Sequence, residues 1–378
     1  MNNQGGSTVK FICEKSKLQD AISIAQKAIT GKSTMPILEG IYIKADLDQL
    51  TLIGSDVDVS IETKIDAEVI KKGTIVIDAK LFGEIIRKLP NDKVVIEKLE
   101  DNNEENTIQI TCKKSVFNLL HMNGEDFPSL PNINETKIFS IPQNLLKNMI
   151  KGTSFAIAQD EARPILQGIL FEVRNSYLNL VALDGYRLAI RKELIDSENT
   201  INSVIPGKTL NEVAKILDDT DQSVDITFTT NHILFNLGET KVISRLLEGE
   251  FIKYNSLLPQ EYKCLVTVNR QELQNGIERA SLMAKEGNTN LIKFEFKGDT
   301  LIITSNSQLG KVREEVSVNL QGDEIQIAFN SRYLLDALKV IDEDEVVLEL
   351  TSSVSPCVIK SKNMRDNKYL VLPVRLAR

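Results

Sequence analysis

The sequence predicts an α+β protein built from three repeated domains, each with two helices packed on antiparallel sheets. Three observations predict it. The hexapeptide at 35–40 (MPILEG) recurs 128 residues on, at 163–168 (RPILQG). A ten-residue amphipathic segment occurs three times, at 80–89, 208–217 and 332–341. Between these segments, apolar and polar residues alternate with period two. Segments recurring in one order at a nearly fixed offset mark a repeated structural unit.

Each element of the first copy follows from its periodicity. Residues 15–30 place Leu18, Ile22, Ala25 and Ile29 on one helical face. Residues 40–53 and 59–65 alternate, as strands do, with a turn at 47–49. Residues 73–77 form another strand, and 80–89 form the second helix. There Phe82, Ile85 and Leu89 stand at i, i+3 and i+7, matched by Leu210, Val213 and Leu217, and by Leu334, Ala337 and Ile341. Strands at 94–98 and 107–112 then flank a polar loop at 100–106. The copies also close alike: Gly124-Glu125-Asp126-Phe127 leads to Leu130-Pro131, Gly249-Glu250-Phe251 to Leu258-Pro259, and Tyr369-Leu370-Val371-Leu372-Pro373 ends the third. The repeat sets domain boundaries at 1–134, 135–259 and 260–378.

A chain of 378 residues suggests two or three domains. At 42% hydrophobic and 26% charged residues it has apolar material for several cores. No run of 18 apolar residues occurs, so no membrane span is expected. The opening segment 1–8 (MNNQGGST) lacks the apolar stretch of a secretory signal. Cys13, Cys112, Cys264 and Cys357 are far apart in apolar, strand-like segments, which fits reduced, buried thiols in a cytoplasm better than a disulfide framework or a zinc site.

The net charge of −8 argues against a uniformly basic grip on nucleic acid. Its distribution says more. Six helical windows (15–30, 80–89, 143–152, 208–217, 270–285 and 332–341) carry a net +9, leaving −17 on the rest. A positive helical layer on an acidic body suits a ring whose helices line a hole and hold DNA loosely. The plainer reading is that Lys and Arg are good helix formers on solvated faces.

No catalytic chemistry is expected. Gly207-Lys208-Thr209 ends like a phosphate-binding loop, but the motif needs a glycine where Asn202 stands, and the tripeptide falls at a repeat helix start. Asp56 and Asp58 read as solvated acids on a strand face without a third metal ligand. The two histidines, His121 and His232, lie in alternating segments with no nucleophile motif nearby. Catalytic, cofactor-binding and metal residues are therefore all expected to be none.

The triplication, the closing segment 369–376 (YLVLPVRL) and the segment 183–188 (LDGYRL) together resemble the bacterial replicative sliding clamp family, the DNA polymerase III β subunits. The resemblance runs from about Val9 to Leu376. It implies a non-catalytic processivity factor: a head-to-tail homodimer whose six domains close a ring around double-stranded DNA, in the cytoplasm on the nucleoid. Implied partners are the DNA polymerase III alpha subunit, the clamp-loader delta subunit and other proteins with a short clamp-binding motif. Their peptides are implied to enter an apolar cleft walled by Leu166, Leu183, Gly185, Tyr186, Arg187, Leu188, Leu257, Tyr333, Val354, Leu370, Val371, Leu372, Pro373, Val374, Arg375 and Leu376. The sequence departs from the family at Tyr186 (usually His), Ile252 (Pro), Ser256 (Arg) and Pro356 (Ser). The resemblance points to Lys32, Arg163 and Lys208 for DNA, and to Phe117, Leu282 and Met283 for the dimer seam. Two rivals are an enzyme on a triplicated scaffold and a protein scaffold that never touches DNA.

Overall fold

The computed structural model describes residues 9–31, 33–99, 106–133, 138–160, 162–286, 290–363 and 367–375. Among them are six α-helices: α1 (Lys15–Ala25), α2 (Ala79–Lys88), α3 (Gln143–Ser154), α4 (Gly207–Ile216), α5 (Arg270–Glu286) and α6 (Ser331–Leu338). All strand pairings are antiparallel, and the fold is α+β. No helix among the described residues is long and apolar enough to cross a membrane.

Local chemistry sets the helix starts. The Asp78 carboxylate accepts the Leu81 N–H at 2.7 Å to cap α2, and Asn269 and Asn330 accept the N–H groups of Glu272 and Arg332 to cap α5 and α6. α1 ends earlier than its periodicity predicts. Gln26–Ala28 tightens into a 3-10 turn, and the Gln26 side-chain amide donates to the Ala79 carbonyl at the start of α2. Gly83 makes room for it: a Cβ there would come within 2.5 Å of Gln26 Nε2. The recurring hexapeptides become 3-10 turns, Pro36–Glu39 and Pro164–Gln167, each running into a strand that starts at Gly40 or Gly168. Both glycines lie against a neighbouring strand, where a Cβ would come within 2.5 Å of Val76 or of the Ile205 carbonyl.

The hairpins turn alike. Gly40–Asp46 and Gln49–Ser55 join through Leu47 and Asp48, both with positive φ (48° and 58°). Asn175 and Ser176 do the same at 52° and 62°, and Gly298 starts the equivalent turn at 51°. Two-residue turns of this hand match the twist of the flanking strands.

The chain packs as two compact units that follow the sheets rather than the repeats. The first comprises Met1–Gln143 and Lys215–Arg245, the second Asn144–Ala214 and Leu246–Arg378. The first unit holds a five-stranded and a nine-stranded sheet. In its core Phe11, Leu18, Ile22, Phe82 and Ile86 interlock with Ile43, Leu52 and Ile77. The second unit holds a twelve-strand array, in which the long strand Lys311–Gly322 pairs first with Thr300–Asn306 and then with Cys264–Asn269. α5 packs over this part of the array and against α6.

Strand pairing across repeat borders explains this division. Val59–Asp66 pairs with Thr240–Arg245, and Arg187–Leu194, its counterpart 128 residues on, pairs with Lys368–Val371. The registers agree: Ile61 lies opposite Val242, and Ala189 opposite Tyr369. Counted from the strand before each helix, the rows run Phe139–Ile226–Phe235–Val242 and Val266–Leu348–Ile359–Tyr369. The first copy gives the same row, Phe11–Ile96–Ile110–Phe117.

Lys10–Glu14 is the strand-like segment around Cys13, and three strands of the first copy were not expected: Glu68–Lys71, Met122–Asn123 and Ser115–Leu120. In the last, Val116, Phe117 and Leu120 do not alternate with polar residues, and all three are exposed at the edge of their sheet. Asp56 and Asp58 lie in the turn between Gln49–Ser55 and Val59–Asp66, not on a strand face. Asp56 accepts the N–H groups of Asp58 and Val59, since Val57 takes a φ of 82°. Most of the polar loop at 100–106 and the boundary residue Asn134 lie outside the described residues.

Candidate functional site

The segment 183–188 forms a tight turn. Asp184 Oδ1 accepts the N–H groups of Tyr186 (2.9 Å) and Arg187 (3.0 Å), while Gly185 supplies the required φ of +91°. The turn lifts Tyr186 into solvent, 61% exposed, where its ring stacks on Tyr333 of α6 at 6.0 Å between centroids. It also folds Arg187 back. The Arg187 Nε donates to Asp184 Oδ2 at 3.0 Å and its Nη1 donates to Asp336 on α6. The guanidinium lies 4.6 Å from the Tyr333 centroid and 5.4 Å from that of Phe155.

The final segment completes the site. Lys368–Val371 pairs with Arg187–Leu194. Beyond it, the Leu372 N–H donates to the Tyr186 carbonyl at 2.9 Å, and the Val374 N–H donates to Ala328 at 2.8 Å on the edge strand Gln326–Asn330. Beneath lies an apolar floor in which Leu166, Leu183, Leu188 and Leu370 cluster with Leu170, Val181, Val358, Phe251 and Tyr254.

The structure thus brings together most of the expected cleft residues, in two roles. Leu166, Leu183, Leu188 and Leu370 are buried floor, whereas Tyr186, Leu257, Leu372 and Val374 are exposed. Val371 is buried and, by strand alternation, points away from Leu370. Pro373 and Arg375 continue the segment. Val354 stands exposed on the turn closed by the Ser352 and Ser355 hydroxyls and is not in the cluster. Leu376 lies outside the described residues. Phe155, Asp336, Ala328 and Phe251 were not anticipated. Asp336 had a signal, since it follows Tyr333 by three residues on one helix face. Ala328 had none, since only the chain's return path brings it near Val374.

Arg163 is exposed just before Pro164–Gln167, and Lys208 is exposed in the first turn of α4. Lys32 lies outside the described residues. Over the observed helices the net charge is +6, carried by α1 to α4, while α5 and α6 are each neutral. First turns without acids recur in α1, α2, α3, α4 and α6. Phe117 is exposed on Ser115–Leu120, Leu282 is exposed on α5, and Met283 lies beside Gly310 and Ser307.

Among the described residues, no side-chain cluster at this site is built for catalysis. Among the described residues no group of His, Cys, Asp and Glu could hold a metal. Burial pushes the Cys13 and Cys264 thiols up to about 11 and raises Cys112 and Cys357 as well, the reverse of what a nucleophile needs. An apolar floor, an aromatic rim and two fixed polar groups suit the docking of apolar side chains.

The chain matches the DNA polymerase III beta subunit N-terminal domain over residues 9–131, the central domain over 140–253 and the C-terminal domain over 255–375. It is 40% identical to the beta sliding clamp of Bacillus subtilis, with 97% of this chain and 100% of that protein aligned. It is 36% identical to that of Staphylococcus epidermidis, over 97% and 99%. The crystal structure of the Bacillus subtilis DNA polymerase sliding clamp superposes with a TM-score of 0.94 at 38% identity, covering 98% of this chain and 100% of that one. A Pseudomonas aeruginosa sliding clamp bound to griselimycin gives 0.91 at 29% identity, covering 97% and 100%.

Proposed function

This chain belongs to the family of DNA polymerase III β subunits, and on that premise we propose how its residues carry out the task. It is a DNA sliding clamp that serves polymerase processivity and is not itself catalytic. Two copies close head to tail around duplex DNA in the cytoplasm, with clamp domains at 1–134, 135–259 and 260–378. The polymerase alpha subunit, the loader's delta subunit and other motif-bearing proteins dock in the cleft around Arg187.

One observation carries the ring. Two joints within the chain share one register, and the pattern leaves a third pair open. Phe117 holds the place of Val242 and Tyr369, yet those two are buried while Phe117 is exposed. Val312 holds the place of Ile61 and Ala189, since the hairpin pairs Gly54–Ile61, Ala182–Ala189 and Ser305–Val312 correspond. The repeated register therefore sets Phe117 opposite the partner subunit's Val312, with Leu282 and Met283 beside the seam. Closed rings of this kind leave no open strand edge.

The test is cross-linking. Mild oxidation of F117C/V312C should give a covalent dimer, because directly opposed residues fall within disulfide reach. F117C/R313C, one step out of register, should give none. Equal cross-linking of the two variants, or none in either, would refute the seam. The native thiols are buried and stay silent.

For DNA, the reading rests on where the cations stand. The helix dipole favours acids in the first turn, yet Lys15, Lys80, Lys208, Arg270 and Arg332 occupy the first two positions of five helices. Cations added to positive helix ends concentrate potential that attracts phosphate. Lys32, Arg163 and Lys208 join them as DNA-facing residues. Encirclement supplies retention, so few contacts are needed, and a docked polymerase is held at high effective concentration.

A further inference from the structure

The second unit holds another opening on the sheet face that carries the apolar floor. It is a cavity of about 440 Å³. Ile190, Tyr254 and Leu258 belong both to its lining and to the apolar cluster or its margin, so the cavity borders the apolar floor. Cross-strand rows show how the face changes. The row Leu170–Val181–Ile190–Lys368 is mostly aliphatic, and the next on the same face is Glu172–Asn179–Lys192. Rows on one face lie about 7 Å apart, so the surface turns from apolar to basic within one or two of them.

The lining is cationic in a chain of net charge −8. Among the described residues the lining brings Arg174, Lys192 and Lys368 together with one carboxylate, Glu172. That carboxylate is already engaged: its Oε2 accepts the Tyr254 O–H at 2.6 Å and an Asn179 N–H at 3.0 Å. Burial, and then this bond, hold the Tyr254 phenol well above its ordinary range, so it stays a donor. The Lys192 ammonium is placed 4.1 Å over the Tyr177 ring, and its backbone N–H donates to buried Asn367. The helix layer lies on the other side of the sheet, where Arg191 packs on Gly152 of α3; Ile190 and Lys192 alternate with Arg191 and face away from it. A phosphate of DNA held by the helices would not reach this side.

We infer that this cavity is an anion subsite, receiving a carboxylate from the flank of a peptide whose apolar anchors fill the adjoining cleft. The inference rests on the cleft reading. Leu188 of the floor and Lys192 of the cavity are four residues apart on one strand, about 13 Å. Four extended peptide residues span that distance. Such a subsite lets a docked partner be chosen by an acidic neighbour as well as by its apolar anchors.

Fluorescence anisotropy on the full chain tests this with three labelled peptides that share a Gln and a Leu-Phe ending, the form of clamp-binding motif that the family resemblance implies. One has Ser/Gly flanks, one an acidic N-terminal flank and one an acidic C-terminal flank. One acidic peptide should bind roughly fivefold to tenfold tighter than the neutral one at low salt. R174E/K192E should erase that advantage and leave the neutral peptide's affinity unchanged. Equal affinities for all three, or an advantage that survives R174E/K192E, would overturn the inference. If no peptide binds, the cleft reading fails, and the cavity is read alone by calorimetric titration with inorganic phosphate and with glutarate. Saturable glutarate binding lost in R174E/K192E upholds the carboxylate subsite. Binding of phosphate only, or of neither, overturns it.

Discussion

Arg187 shows how much one side chain can organise. Its guanidinium joins a turn of the second repeat to α6 of the third through Asp184 and Asp336, and is only 10% exposed. Truncation would strand two carboxylates beside the Tyr333 ring. R187A is expected to cost about 2 kcal/mol, because removing one member of a buried ion pair leaves charge unpaired. A lower denaturant midpoint with weaker docking of a Gln/Leu-Phe peptide checks it, and an unchanged midpoint would contradict the bridge. Two other residues set the acid response. Burial lowers both His121 and His232 below the ordinary 6.5, His232 being further lowered by Arg245. The unfolded chain therefore takes up these protons first as pH falls. Stability is whole above about pH 6.5 and is lost as pH falls through the lowered folded values. Since these are the only histidines, H121Q/H232Q should flatten the stability profile between neutral pH and pH 5, measured by urea unfolding. A slope that persists would place the effect on carboxylates.

At the scale of the element, the repeat was legible because periodicity is local. Phe82, Ile85 and Leu89 announced α2, and the alternation in 40–53 announced its hairpin. The site was half legible. The residues of 183–188 and 369–375 could be picked out, but not that Arg187 would reach Asp336 or that Val374 would pair with Ala328, since such contacts depend on the return path of the chain. The exposed strand Ser115–Leu120 was missed for a related reason: its apolar residues answer to a partner strand that lies outside their own chain on the proposed seam. Within an element, Leu47 is the misfit. It sits 78% exposed at a φ of 48°, where the matching turns carry Asn175 and Gly298. L47N is predicted to stabilise the first unit by about 1 kcal/mol, read from its unfolding midpoint. No gain would mean that the turn carries no strain.

For the whole molecule, charge is sorted rather than abundant. The described helices hold +6 within a chain of −8, and the excess belongs to the first four. Reversing Lys32, Arg163 and Lys208 to Glu should shorten retention on closed circular DNA severalfold at low salt, with the effect fading as salt rises. Retention indifferent to the reversal would remove these residues from the DNA surface. The joints between repeats have a mechanical consequence. Each is a ladder of four or five paired residues. Pulled along the strands, such a ladder resists with all its rungs together; pried from one end, it yields a rung at a time. If the seam between subunits is a third ladder of this kind, a machine that opens the ring gains most by levering at one end of Ser115–Leu120. The same ring can then be stiff under the tension of a moving polymerase and still open to a small, well-placed torque.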